Sequence, residues 1–207
     1  MRGIAVIVLI MIAVIPAFAR GSSDKASTAP ATETFDSSLG SENIGKKGPA
    51  GGIIIYYNAS GFTVTGEGSF TANYLEAAPI NQSTSITWSS TNVDVKGAAG
   101  TAIGAGKANT AAIIAAHPGD TVSNNAAKAA AAYTGGGKSD WFLPSKDELN
   151  AMYEARSHLS GISIFDIIWS SSQYNTNDAW VHDFDSDIAP FFDKVFSNYN
   201  VRAVRAF

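Results

Sequence analysis

The chain has no cysteine among its 207 residues. Disulfides, thiol catalysis and cysteine-ligated metals are thereby excluded, and so is a lipid anchor of the kind that is attached through a cysteine. A domain of this composition must be held by its core alone, and 45% apolar and 11% aromatic residues suit such a core. Basic runs are also missing. The longest is the pair Lys46-Lys47, and the formal net charge is −4. From Gly52 onward nine Lys and Arg face fourteen Asp and Glu. Nucleic-acid binding, which leaves a basic stripe, is therefore not expected, nor is retention by a polyanion such as heparin. The three histidines, His117, His158 and His182, include no pair at i,i+4, so no zincin-type helix exists. A catalytic histidine is not expected.

What is present begins with an apolar run from Gly3 to Ile15 behind Arg2. At 13 residues it falls short of the roughly 20 that span a bilayer. Pro16 and the small-x-small box Ala17-Phe18-Ala19 follow it, so residues 1–19 read as a secretory signal peptide cleaved before Arg20. The expected mature chain has no membrane span and is exported, to the periplasm, the outer surface or the medium. Residues 20–47 are rich in Ser, Thr, Ala and Gly and read as a flexible linker. The folded domain is expected over residues 48–207.

Within that domain Ile53 to Tyr57, Ser69 to Ala78 and Ser85 to Ser89 have strand character. Two helices are expected at 111–117, capped by Asn109 or Thr110, and at 125–133, capped by Ser123 or Asn124. Ser145-Lys-Asp-Glu148 forms a capping box after the aromatic strand Trp141-Phe142-Leu143. The helix that follows is expected to end near His158 to Gly161. Short strands at 167–174, 179–184, 189–196 and 201–207, joined by Asn, Asp and Ser clusters, complete an α+β pattern. The last of these is expected to place the end of the chain in a sheet. Arg202 and Arg205 fall on its opposite faces, so at least one is expected inward and paired with a carboxylate.

Several segments occurring in one order carry a resemblance. They are GGIIIYYN, YLEAAP, Trp88 followed by GTAIGAGKANT, DWFLPSKDEL, IWSSSQY, AWVHDF and NVRAVRAF. Together, from about Gly48 to Phe207, they resemble the C-terminal domain of the Legionella collagen-like (Lcl) adhesins and related exported bacterial domains. The resemblance implies a C-type-lectin-like domain, α+β with two or three helices and small antiparallel sheets, used for surface binding. A flexible linker stands here in place of a collagen-like stalk. The more distantly related formylglycine-generating enzymes depend on cysteine, so their chemistry is set aside.

Three constellations are candidates for chemistry. Gly100 to Lys107 departs from a phosphate loop, with Thr101 where the first glycine belongs and Ala108 where the magnesium-binding hydroxyl belongs. Asp183, Asp185 and Asp187 open like an EF-hand, but Ile188 replaces its turn glycine and Lys194 its bidentate glutamate. Calcium at these three carboxylates is a candidate beside the plainer reading of a solvated turn, and no other cofactor is expected. Trp88, Trp141 and Trp169 read as core. Trp180 and Tyr174, beside the polar loop Asn175, Asn177 and Asp178, form the candidate ligand site, since loops on a rigid scaffold gather binding residues. The expected function is a non-enzymatic adhesion or binding module for an extracellular glycan, matrix component or envelope protein, with oligomerisation left open. The alternatives are a structural envelope-assembly protein and, below it, an envelope-polymer hydrolase, for which no carboxylate pair or activated nucleophile is visible.

Overall fold

A computed structural model describes residues Thr34 to Phe207, all of which belong to one compact unit. The signal peptide reading and the first part of the linker lie outside the described residues. The described residues form an α+β fold, with two small sheets and three α-helices. Among the described residues no helix is long and apolar enough to cross a membrane.

The first sheet is a hairpin of β1 (Ile53–Val64) and β2 (Phe70–Ala77), extended by β8 (Val204–Ala206), all antiparallel. The second has five strands in the order β3 (Ser83–Ile86), β7 (Tyr199–Val201), β4 (Ile167–Gln173), β5 (Asp178–Asp183) and β6 (Phe191–Asp193). Its pairs are antiparallel except β4–β7, where Ile168 faces Asn200 in a parallel ladder.

The terminal segment, expected as one strand, is two. β7 lies in the five-stranded sheet and β8 in the three-stranded one. Arg202 stands at the crossing, fully buried. Its guanidinium donates to the carbonyls of Ala78, Ser160 and Gly161 and to Asn81 Oδ1, at 2.6–3.1 Å. Burial pulls its pKa down to about 10, still far above neutrality. Arg205 is the paired one, with Glu76 Oε1 at 3.0 Å and Asp140 Oδ1 at 2.7 Å. A sheet-switching arginine satisfied by carbonyls ties both sheets to the loops at 78–81 and 160–161.

Three helices pack on these sheets. α1 (Gly106–Ala116) starts earlier than expected, behind Ala105, which offers no capping side chain. Asn109 and Thr110 are therefore inside the helix, buried, where they bond Gly100 O at 2.6 Å and Leu143 O at 3.3 Å. Their polar groups are committed to tertiary partners, which local propensity cannot report. α2 (Ala126–Ala131) is capped by Asn125, whose side chain accepts from Lys128 N. α3 (Lys146–Glu154) has the capping box read from sequence. A single 3-10 turn at Arg156–His158 follows it.

Residues 34–47, expected as linker, are packed onto the three-stranded sheet. The Phe35 ring meets Tyr74 and Phe207 edge-on, at 5.1 and 5.3 Å. Asn43 is fully buried and donates to Asp36 O and Tyr74 Oη. Gly45 N donates to Ile54 O at 2.8 Å and Ile54 N to Lys46 O at 2.9 Å, which covers the start of β1. One aromatic ring and one satisfied amide anchor a segment whose average composition looks unstructured. The domain therefore begins at least 14 residues before Gly48.

The core has two parts. Trp88, Trp141 and Trp169 dominate one, with Ile86, Ile113 and Leu143. Each buried indole N–H finds an acceptor: Trp88 donates to Ser170 O at 2.9 Å and Trp169 to Ile86 O at 2.8 Å. Leu75, Leu149, Met152, Ile168 and Phe184 fill the other, under α3.

Candidate functional site

The loop between β4 and β5 is a tight polar turn. Asn175 Oδ1 accepts from the amides of Asn177 and Asp178, at 2.7 and 2.8 Å. Its Nδ2 donates to Asp178 Oδ2 at 2.8 Å. The amides of Tyr174 and Asn175 both donate to Asp178 O, at 2.9 and 3.1 Å. Asn175 and Asp178 are thus spent on shaping the turn, as Asn and Asp commonly are. Asn177 is exposed, and its side chain makes no hydrogen bond to the described residues.

Beneath the turn lies Lys194, fully buried. Its ammonium donates among Gln173 Oε1 at 2.7 Å, Asn175 O and Thr176 O at 2.9 Å, and Val93 O at 3.1 Å. It also sits 4.7 Å over the Trp88 ring. Burial pulls its pKa down to about 8, against the pull of Asp94, Asp178 and Asp193. Gln173 extends the network, accepting from Val95 N at 2.8 Å and donating to Asp94 Oδ1 at 2.7 Å. An internal ammonium ringed by four oxygens holds this loop as a bound cation would.

Above the turn the side chains form an exposed aromatic platform. Tyr174 stacks on Phe191 with centroids 3.8 Å apart and planes 15° apart. Trp180 meets both edge-on, at 5.0 and 5.7 Å. Tyr174 and Phe191 are 47% and 42% exposed. The β5–β6 register opposes Trp180 to Phe191 and so fixes their shared face. Lys146, the first residue of α3, places its ammonium 3.7 Å from the centre of the Trp180 ring.

The structure thus brings Tyr174, Trp180 and the 175–178 loop together, with Asn175 and Asp178 in shaping roles. Phe191 and Lys146 join the platform unforeseen. Cross-strand pairing of Trp180 could have found Phe191, had the short β6 been placed in register. Lys146 comes from another element, and no local signal points to it.

The acidic run does not assemble a calcium site. Asp183 accepts from Asp185 N at 3.0 Å and Ser186 Oγ at 2.7 Å. The Ser186 hydroxyl and the turn amides hold its carboxyl below the usual range. Asp187, at φ +54°, turns toward His182 Nε2 at 3.5 Å, too long for a hydrogen bond. Asp185 is exposed. Asp183, Asp185 and Asp187 therefore diverge around a hairpin turn. Among the described residues no group of three or more His, Asp or Glu side chains is placed to hold a metal ion. His182 itself is buried against Tyr153, rings 4.5 Å apart, and neither ring nitrogen has a hydrogen-bond partner. Burial lowers its pKa against the opposing pull of Asp187, which favours a neutral ring in the core.

Glu148 sets the position of α3. Fully buried, it accepts from Ser145 N at 2.7 Å and Gly104 N at 2.8 Å. A Cβ at Gly106 would collide with its carboxylate, so only glycine allows the approach. Burial raises the Glu148 pKa to about 7 against the pull of the Ser145, Gly104 and Gly106 amides.

No model of a known protein family matches the chain, and no curated protein matches it.

Proposed function

We propose that the chain is an exported, non-enzymatic binding module that takes a glycan on the Tyr174–Trp180–Phe191 platform. The observation that carries this reading is the exposed, stacked Tyr174–Phe191 pair beside Trp180. Rings kept in water by a rigid scaffold present a flat apolar face, which suits the C–H face of a sugar ring. The exposed Asn177 supplies an amide for ring hydroxyls, and the turn behind it is already ordered, which lowers the entropic cost of binding. The resemblance to exported adhesin domains and the N-terminal apolar run with its cleavage box support the same reading. Lys194 takes the structural role that a bound cation would have, so recognition is calcium-independent.

A glycan array probed with the full chain, with and without excess EDTA, tests this. The expected result is selective binding, unaffected by EDTA, that weakens at least about tenfold in Tyr174→Ala/Phe191→Ala. Absence of glycan binding, or equal binding by that variant, overturns the reading.

A further inference from the structure

We infer that the groove between β1 and α3 is a second binding site, for a short cationic peptide segment of a partner protein. The inference is independent of the platform. The groove has a volume of about 470 Å³, within the range of ligand sites of roughly 300–1,000 Å³. Ile44, Ile55 and Ile103 make its apolar part, and Tyr56 and Tyr57 add two half-buried rings. The opposite wall is one face of α3. Asp147, Asn150, Ala151 and Glu154 follow i, i+3, i+4, i+7 spacing there and all line the groove.

Charge decides the class of occupant. No Lys or Arg lines the groove. Asp147 and Glu154 are exposed, and no side-chain hydrogen bond or ion pair to either is made by the described residues. Several other carboxylates of the domain are engaged, Glu76 with Arg205, Asp94 with Gln173, Asp120 with Ser90 and Asn125, Asp140 with Arg205; Glu42, Glu67 and Asp185 are exposed like the groove pair but line no apolar groove with it. Two exposed carboxylates without a hydrogen-bond or ion-pair partner, Glu154 also within electrostatic reach of His182, stand beside two tyrosine rings and offer a Lys or Arg head both a counter-ion and a cation–π face. The isoleucines receive the alkyl stem or a neighbouring apolar residue.

Spacing refines the occupant. Seven helical residues separate the carboxylates by roughly 10 Å along the axis of α3. An extended polyproline-type segment advances about 9 Å in three residues and returns to the same face. A Lys-x-x-Lys segment therefore matches the two acidic positions, with its middle residues over the isoleucines.

The test is calorimetric titration of the full chain with acetyl-Lys-Pro-Leu-Lys-amide and with its Glu-for-Lys analogue. Saturable binding of the lysine peptide, weakened by salt and at least about tenfold weaker in Asp147→Asn/Glu154→Gln, is expected. The acidic analogue is not bound. Asp183→Asn/Asp185→Asn, which removes the same charge elsewhere, and Tyr174→Ala/Phe191→Ala both leave the affinity unchanged. The groove and platform variants alter exposed side chains and Asp183 is half-buried, and unchanged melting of all three variants confirms their fold. Absence of saturable binding overturns the inference. So does equal binding of the acidic analogue, equal binding by the groove variant, or an equal loss in the Asp183/Asp185 variant.

Discussion

Lys146 and Asp147 are neighbours in α3, yet they serve surfaces of opposite character. Lys146 lies over Trp180 on the platform, while Asp147 lines the groove against β1. One helical step of about 100° separates them. The platform has exposed rings and a cation above them, and a buried ammonium stiffens it from below. The groove has recessed rings and unpaired carboxylates. A domain with modest net charge thus sorts its charges by helix face, and totals over the sequence conceal the sorting. Glu148, next along, anchors the helix between the two surfaces.

The comparison breaks most sharply at Lys194. Lys194→Met leaves four oxygens without their donor and is expected to cost about 3–5 kcal/mol, as loss of one partner of a buried charge network does. Denaturant unfolding gives the loss. Amide exchange is expected to quicken at 93–95 and 174–178 but not along β1, because the cation braces those two loops and bonds nothing in β1. A loss below about 1 kcal/mol would show that water replaces the ammonium easily.

Glu148 tests what the two surfaces share. Its folded pKa, about 7, lies above the ordinary value of 4.5. Between these values the folded chain holds a proton that the unfolded chain has released, so this group's contribution to stability falls as pH rises from 4.5 to 7. The full swing is about 3 kcal/mol. Unfolding followed across that window is expected to show the decline, and Glu148→Gln to flatten it although the variant is less stable overall. An unchanged slope in the variant would remove Glu148 as its source.

Smaller changes separate shaping from contact within the platform loop. Asn175→Ala loses three hydrogen bonds of an exposed turn and is expected to cost about 1 kcal/mol. Asn177→Ala is expected to change stability by less than about 0.5 kcal/mol while weakening ligand binding. The smallest effect is expected at Asp185→Asn, within about 0.5 kcal/mol, with melting unmoved by added Ca²⁺ before or after the substitution.

The capping box of α3 was legible because it is local: Ser145 and Glu148 need only each other. The buried tryptophans and the β4–β5 turn were legible for similar reasons, from composition and turn chemistry. What escaped depended on distant partners. Lys194 looks like a surface lysine until loops 93–95 and 173–176 close over it. Phe191 becomes part of the platform through its register with Trp180. Residues 34–47 look like linker because one ring and one amide do the attaching. The terminal strand divides at Arg202 because its two halves pair with different sheets, a choice made by β2 and β4 far away in sequence.

The central claim is that the platform on the Lys194-braced loop takes the ligand. Its most direct test is an NMR titration of the full chain with a glycan selected from the array, in excess EDTA. The expected shifts center on the Trp180 indole, the Tyr174 and Phe191 rings and the Asn177 amide, with Tyr56 and Tyr57 unmoved. Shifts confined to the β1–α3 groove or elsewhere, or binding that requires Ca²⁺, would contradict it.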